Sequence, residues 1–247
     1  MMRSILLLSL GVTLTGLFST YAIIVSLLFP SENRVHNIAH IWSRLMLALA
    51  GTKVEARGTE NVLTDRPQVF MANHQSNFDI FIVLAHIPGQ FRWIAKKELF
   101  RYPLFGTAMR RAGYIEIDRQ HHKRALQSLE EAAKKIREGK SVMTFPEGTR
   151  SRDGQIQPFK HGVFQLAIRA GVPIVPITII GTGEIMSKRS LRVKPGRITM
   201  VIDKPIDVTD YTSENRAALI ERVRDVIVRN FTSVRRTAAG AARQEAA

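Results

Sequence analysis

Val69-Phe70-Met71-Ala72-Asn73-His74-Gln75-Ser76-Asn77-Phe78-Asp79-Ile80-Phe81-Ile82-Val83-Leu84-Ala85 takes the chain from one kind of element into another. Residues 69–72 form a short apolar run, the size of a buried strand. Residues 76–85 read as a helix that ends before Pro88 and Gly89. A polar bend of Asn73, His74 and Gln75 joins the two.

The same alternation continues on both sides. Strands are expected at 53–56, 91–95, 114–117, 141–145, 174–180 and 198–203. Helices are expected at 104–111, 123–137, around 163–169, and at 213–231. In the helix at 123–137, Leu126, Leu129, Ala133 and Ile136 share one side and Gly139 is the stop. The expected fold is α/β, a sandwich built on a mixed sheet over residues 51–232, with a flexible Ala-, Arg- and Gly-rich tail at 233–247.

Residues 1–50 have a different character. No charged side chain occurs from 5 to 29, between Arg3 and Glu32. As a helix rising about 1.5 Å per residue, that run is long enough to cross a hydrocarbon core of about 30 Å. A cleaved signal peptide is the other reading, with Arg3 as its basic start and 20–22 as its cleavage site, but the apolar run continues past that point. A second helix is expected at 36–49, its apolar face formed by Ile38, Ile41, Trp42, Leu45, Met46 and Leu49. Trp42, Arg44 and the two histidines suit a membrane interface or a helix packed on the core. Together they make an N-terminal two-helix membrane segment, separated by Pro30 and Ser31. Nearly all the basic charge follows the apolar run, which favours a cytoplasmic main domain.

The chain of 247 residues has 36 Lys and Arg against 21 Asp and Glu, a net charge of +15. That excess draws anions: nucleic acid, anionic lipid or a phosphorylated substrate. Aromatic residues are only 7% and sit mostly in apolar runs, which argues against a nucleic-acid binder. With no cysteine, thiolate catalysis and Cys-based metal sites are excluded. No His and acid cluster has metal-ligand spacing, and no Gly-x-Ser-x-Gly elbow of a serine hydrolase occurs.

Four stretches can carry chemistry. In the first, His74 at a strand end and Asp79 in the following helical turn can meet around the bend. The carboxylate would then hold one imidazole nitrogen and leave the other free as a base. Ser76 and Asp79 equally fit a helix capping box. The second is Phe145-Pro146-Glu147-Gly148-Thr149-Arg150-Ser151, after a strand, where Gly148 permits a sharp turn and Arg150 can fork onto a phosphate. The third, 113–119, ends in the acid–arginine pair Asp118-Arg119, and the fourth is Val172-Pro173-Ile174-Val175-Pro176.

In that order, these stretches resemble the four motifs of the glycerolipid acyltransferase family, and the likeness covers roughly 50–205. The two N-terminal helices resemble the membrane-associating motif of its bacterial members. Glu147-Gly148-Thr149-Arg150 looks like the branch that acylates lysophosphatidate, giving phosphatidic acid. The resemblance implies that His74 is the general base for the sn-2 hydroxyl, that Asp79 orients it, and that the oxygen attacks the thioester directly. Arg119 and Arg150 would grip the acceptor phosphate, with Glu147, Gly148 and Thr149 shaping that pocket and Lys96 and Lys97 as further candidates. The expected partners are lysophosphatidic acid, acyl-CoA or acyl-carrier protein as donor, and an anionic membrane. No cofactor or metal is expected. Other lyso-lipid acceptors, and a non-catalytic lipid-binding protein with the same basic pocket, are the alternatives.

Overall fold

The computed structural model describes residues 1–118 and 121–244. Its centre is a seven-stranded sheet of β1 (Thr52–Arg57), β2 (Val69–Ala72), β3 (Phe91–Lys96), β4 (Ile115–Ile117), β5 (Ser141–Thr144), β6 (Ile174–Ile180) and β7 (Gly196–Ile202), in the order β1-β7-β6-β2-β5-β3-β4. The five strands from β6 to β4 run parallel, and β7 pairs antiparallel to β6, so the sheet is mixed. β1 lies parallel to β7 at the edge.

β2 sits in the middle, with Phe70 opposite Met143 on one side and Val175 on the other. Successive strand residues point to opposite faces. Phe70 and Ala72 therefore enter one core with α3 (Phe78–His86), α7 (Thr182–Ile185) and part of α2 (Glu32–Ala50). Val69 and Met71 enter the other, with α5 (His122–Arg137), α6 (His161–Ala170) and α8 (Arg216–Gln244). Both faces being covered explains why β2 is apolar throughout rather than alternating. Each fully buried large side chain in it stabilises the fold by about 1.5–3 kcal/mol.

The N-terminal helix, α1 (Met2–Leu28), inverts the usual pattern. Its buried residues are Ser4, Gly11, Ser19, Ala22 and Ser26, while Leu6, Val12, Leu17 and Leu28 are exposed. Small residues let the helix lie close along α2 and α4 (Pro103–Arg111), and large apolar ones face outward. Its length and composition would allow it to cross a membrane.

Ser31 accepts a hydrogen bond from the Arg34 amide, which starts α2 at Glu32, earlier than its apolar stripe suggests. Trp42 and His36 are buried, edge-on to Phe81 and Phe91 respectively, so this face of α2 packs on the core. Glu32 ties the helix down electrostatically, as it bonds Arg92 at 3.2 Å and Lys140 at 2.8 Å. At the other end, α8 runs on to Gln244 through residues expected to form a flexible tail; Ala and Arg are good helix formers.

Candidate active site

The 73–79 bend and the 145–151 loop sit at the C-terminal edge of the parallel strands, where open α/β sheets place their ligands, whereas 172–176 lies at the opposite end, where β6 begins beside Val69. β2 delivers Asn73 and His74, β5 delivers Phe145, β6 leads to Thr182, and β3 ends in Lys96. Asn73 is buried and exchanges two hydrogen bonds with the Ile179 backbone, locking the ends of β2 and β6 together.

His74 Nδ1 lies 2.8 Å from Asp79 Oδ2. The same oxygen accepts from the amides of Gln75 at 2.6 Å and Ser76 at 2.8 Å, and Thr182 donates its hydroxyl to Oδ1. An ionised carboxylate is acceptor-only, so Nδ1 must carry the proton in that state. The lone pair is thereby placed on Nε2. Asp79 also performs half of the capping reading, since it reaches back to the Ser76 amide, and this delays the start of α3 to Phe78.

The Phe145 ring stacks on the imidazole with centroids 3.9 Å apart and planes 4° from parallel. The 145–151 loop holds the His74 backbone from both sides. Glu147 Oε1 accepts from the His74 amide at 2.6 Å, and the Ser151 amide donates to the His74 carbonyl at 2.8 Å. The other Glu147 oxygen accepts from the Gln157 amide at 2.8 Å. Glu147 is 3% exposed, and burial pushes its carboxyl up to about 7, against the opposing hydrogen bonds from Gln157 and His74. Both Glu147 oxygens thus accept backbone amides, and the side chain holds the loop against His74.

Gly148, Thr149 and Arg150 do line the cavity in front of His74, as does Lys96. Gly148 has φ +73, and a Cβ there would come within 2.9 Å of Lys160. Lys97 is turned away onto Asp118 at 2.6 Å, off the cavity wall. Arg119 lies outside the described residues.

Lys188 was missed by the sequence reading. It joins the cavity wall and donates to the Arg150 carbonyl at 2.5 Å and the Thr149 hydroxyl at 3.1 Å. Its ammonium is held below the ordinary lysine value, first by desolvation and then by the like charges of Arg152, Arg150 and Arg189. Such a cationic cluster favours an anion. Thr182 was missed too. Neither stands near a motif in the sequence, and no local spacing announces them.

Behind this rim is an apolar cavity of about 390 Å³, walled by Ile38, Trp42, Leu84, Ile94, Phe105 and Met109. It combines a poised imidazole, a basic rim and an apolar interior, which suits an amphiphile with an anionic head. Among the described residues no group of three or more His, Asp or Glu could hold a metal ion.

The Acyltransferase family pattern matches residues 53–180, and the chain belongs to that family. A 1-acyl-sn-glycerol-3-phosphate acyltransferase of Limnanthes douglasii is 36% identical over 216 residues, 85% of this chain and 76% of the relative. The human 1-acyl-sn-glycerol-3-phosphate acyltransferase alpha is 35% identical over 196 residues, 77% of this chain and 69% of its own length. Among solved structures, the 1-acyl-sn-glycerophosphate (LPA) acyltransferase PlsC of Thermotoga maritima superposes with a TM-score of 0.82 at 26% identity, covering 95% of both chains.

Proposed function

We propose that this chain is a 1-acylglycerol-3-phosphate O-acyltransferase, transferring a fatty acyl group from acyl-CoA or acyl-carrier protein to the sn-2 hydroxyl of lysophosphatidic acid. The reading is carried by the oriented His74 imidazole at the mouth of an apolar cavity with a basic rim.

His74 Nε2 takes the proton of the acceptor hydroxyl as its oxygen attacks the thioester carbonyl. The new C–O bond forms, the C–S bond breaks, and the departing thiolate takes the proton from His74, leaving as the free thiol and restoring the neutral imidazole. Asp79 favours the transient imidazolium because it carries the opposite charge 2.8 Å away. The cationic rim of Arg150 and Lys188 receives the acceptor phosphate, the point charge of lysine complementing the fork of arginine. The enclosed cavity takes the donor's acyl chain. Holding both substrates there removes an entropic barrier, while the base contributes about 10²–10⁴-fold. The enzyme works at a membrane that α1 enters, with the α/β domain on the cytoplasmic side.

The test is phosphatidic acid formation by detergent-purified protein and its His74→Ala variant, given lysophosphatidate and acyl-CoA or acyl-carrier protein. The unaltered protein should make product, and the variant should lose about 10²–10⁴-fold in kcat while keeping its thermal unfolding temperature. Product formed equally well by both would exclude His74 as the base, and an inactive unaltered protein would exclude the reaction.

A further inference from the structure

A second apolar space adjoins the cavity that His74 lines, and it approaches the His74 bend through Asn77. The second has a volume of about 630 Å³ and lies between α1, the C-terminal end of α2 and the start of α4. It is walled in part by Leu8, Val12, Gly16, Leu49, Phe81 and Leu104. Thr15, Ser19, Asn77 and Phe105 line both spaces, so α1 and Phe105 form the ridge between them. Asn77, exposed and three positions after His74, stands at the junction.

The two differ in what they face. Much of the first is walled by buried side chains, including Ile38, Leu84, Ile94 and Met109. The second includes Val12, Tyr102 and Leu104, among the most exposed apolar side chains of its rim, at 74%, 62% and 48%. Its mouth therefore continues into the outward apolar surface of α1 and α4.

Acyl transfer to a lysophospholipid brings two hydrocarbon chains to one imidazole. The donor arrives from water, and its chain needs an enclosure. The acceptor is already a bilayer lipid, and its chain can slide in sideways without leaving an apolar medium. We infer that the second groove holds the acyl chain carried by the acceptor, and that α1 separates it from the donor chain in the first cavity. This rests on the proposed reaction and adds a second, independent chain-specificity site to it.

Gly16 offers a clean test. A Cβ there meets nothing within 4 Å, and a leucine is favoured over glycine in a helix, so Gly16→Leu fills groove without straining the fold. Its kcat/KM ratio for long-chain over short-chain 1-acylglycerol-3-phosphate should fall about tenfold. The same ratio for long-chain over short-chain acyl-CoA should stay unchanged. Ala108→Leu, in the first cavity only, should do the reverse. If Gly16→Leu shifts the donor ratio instead, or an active Gly16→Leu shifts neither, the assignment is wrong. Inactivity of the unaltered protein towards every donor and acceptor would instead remove the underlying reaction.

Labelling is independent of turnover. Lysophosphatidate bearing a diazirine at its chain end, photolysed with unaltered protein in vesicles, should mark residues on the 7–16 face of α1 or at 102–104. Adducts confined to Leu84, Ile94 or Met109 would place that chain in the first cavity and overturn the inference.

Discussion

Glu147 is buried, yet both its oxygens accept backbone amides, one from His74 and one from Gln157. Burial raises its folded value to about 7 from an ordinary 4.5. Between those pH values the folded chain keeps a proton that the unfolded chain has released. Stability must therefore decline as pH rises through that window and level off above it. The full difference is on the order of 3 kcal/mol. Glu147→Gln removes this titration, so the Tm difference between unaltered protein and variant should narrow from pH 4.5 towards 7. A difference independent of pH would show that the carboxyl ionises normally. The variant should also lose kcat, because its amide turns a donor towards one of the two backbone amides and loosens the His74 loop. At this scale the sequence told much about which residues meet and less about what each does. His74 and Asp79 are five positions apart on a strand–helix bend, so their encounter is local and legible. Whether Glu147 looks outward or inward depends on a backbone 73 residues away. Lys188 and Thr182 reach the site from beyond β6, which only tertiary packing reveals.

At the scale of elements, the apolar runs and their periodicity foresaw the strand–helix alternation, while caps adjusted the ends. The three-residue β4 begins at Ile115, not Tyr114, and the four-residue α7 escaped notice because it is too short for a period. What no periodicity conveys is how α2 is fixed to the sheet. Glu32 draws together Arg92 of β3, Lys135 of α5 and Lys140 before β5. Burial would raise its carboxyl, but Lys140, Lys135 and Arg92 outweigh it and hold it down at about 2. Its stabilising effect is therefore full above the ordinary 4.5 and is lost as pH falls towards 2. Glu32→Gln should lower stability by roughly 1–3 kcal/mol at neutral pH, leaving Arg92 with neutral acceptors only. Urea denaturation in detergent at pH 7 and near pH 3 checks this, the gap being smaller at the lower pH. Because α2 walls both apolar spaces, the variant should also broaden acyl-chain selectivity.

The whole molecule pairs an outward apolar helix with a charge of +15, and these two attractions to a membrane respond to salt in opposite ways. The electrostatic part depends on charges acting across water, and the screening length falls from about 10 Å at 0.1 M to about 3 Å at 1 M. Apolar burial is not weakened by such screening, and exposed Leu6, Leu17, Ile24 and Leu28 on α1 each have area to lose to lipid. Flotation with vesicles should then show two regimes. At low salt the protein should bind vesicles containing phosphatidic acid more strongly than purely zwitterionic ones. At 1 M salt that preference should vanish while binding to both persists. Release from both at high salt would mean that charge alone holds the protein at the surface and that α1 stays out of the bilayer. Persistent binding would place the groove beside α1 at bilayer depth, so that the acceptor chain proposed for it would enter without being lifted into water.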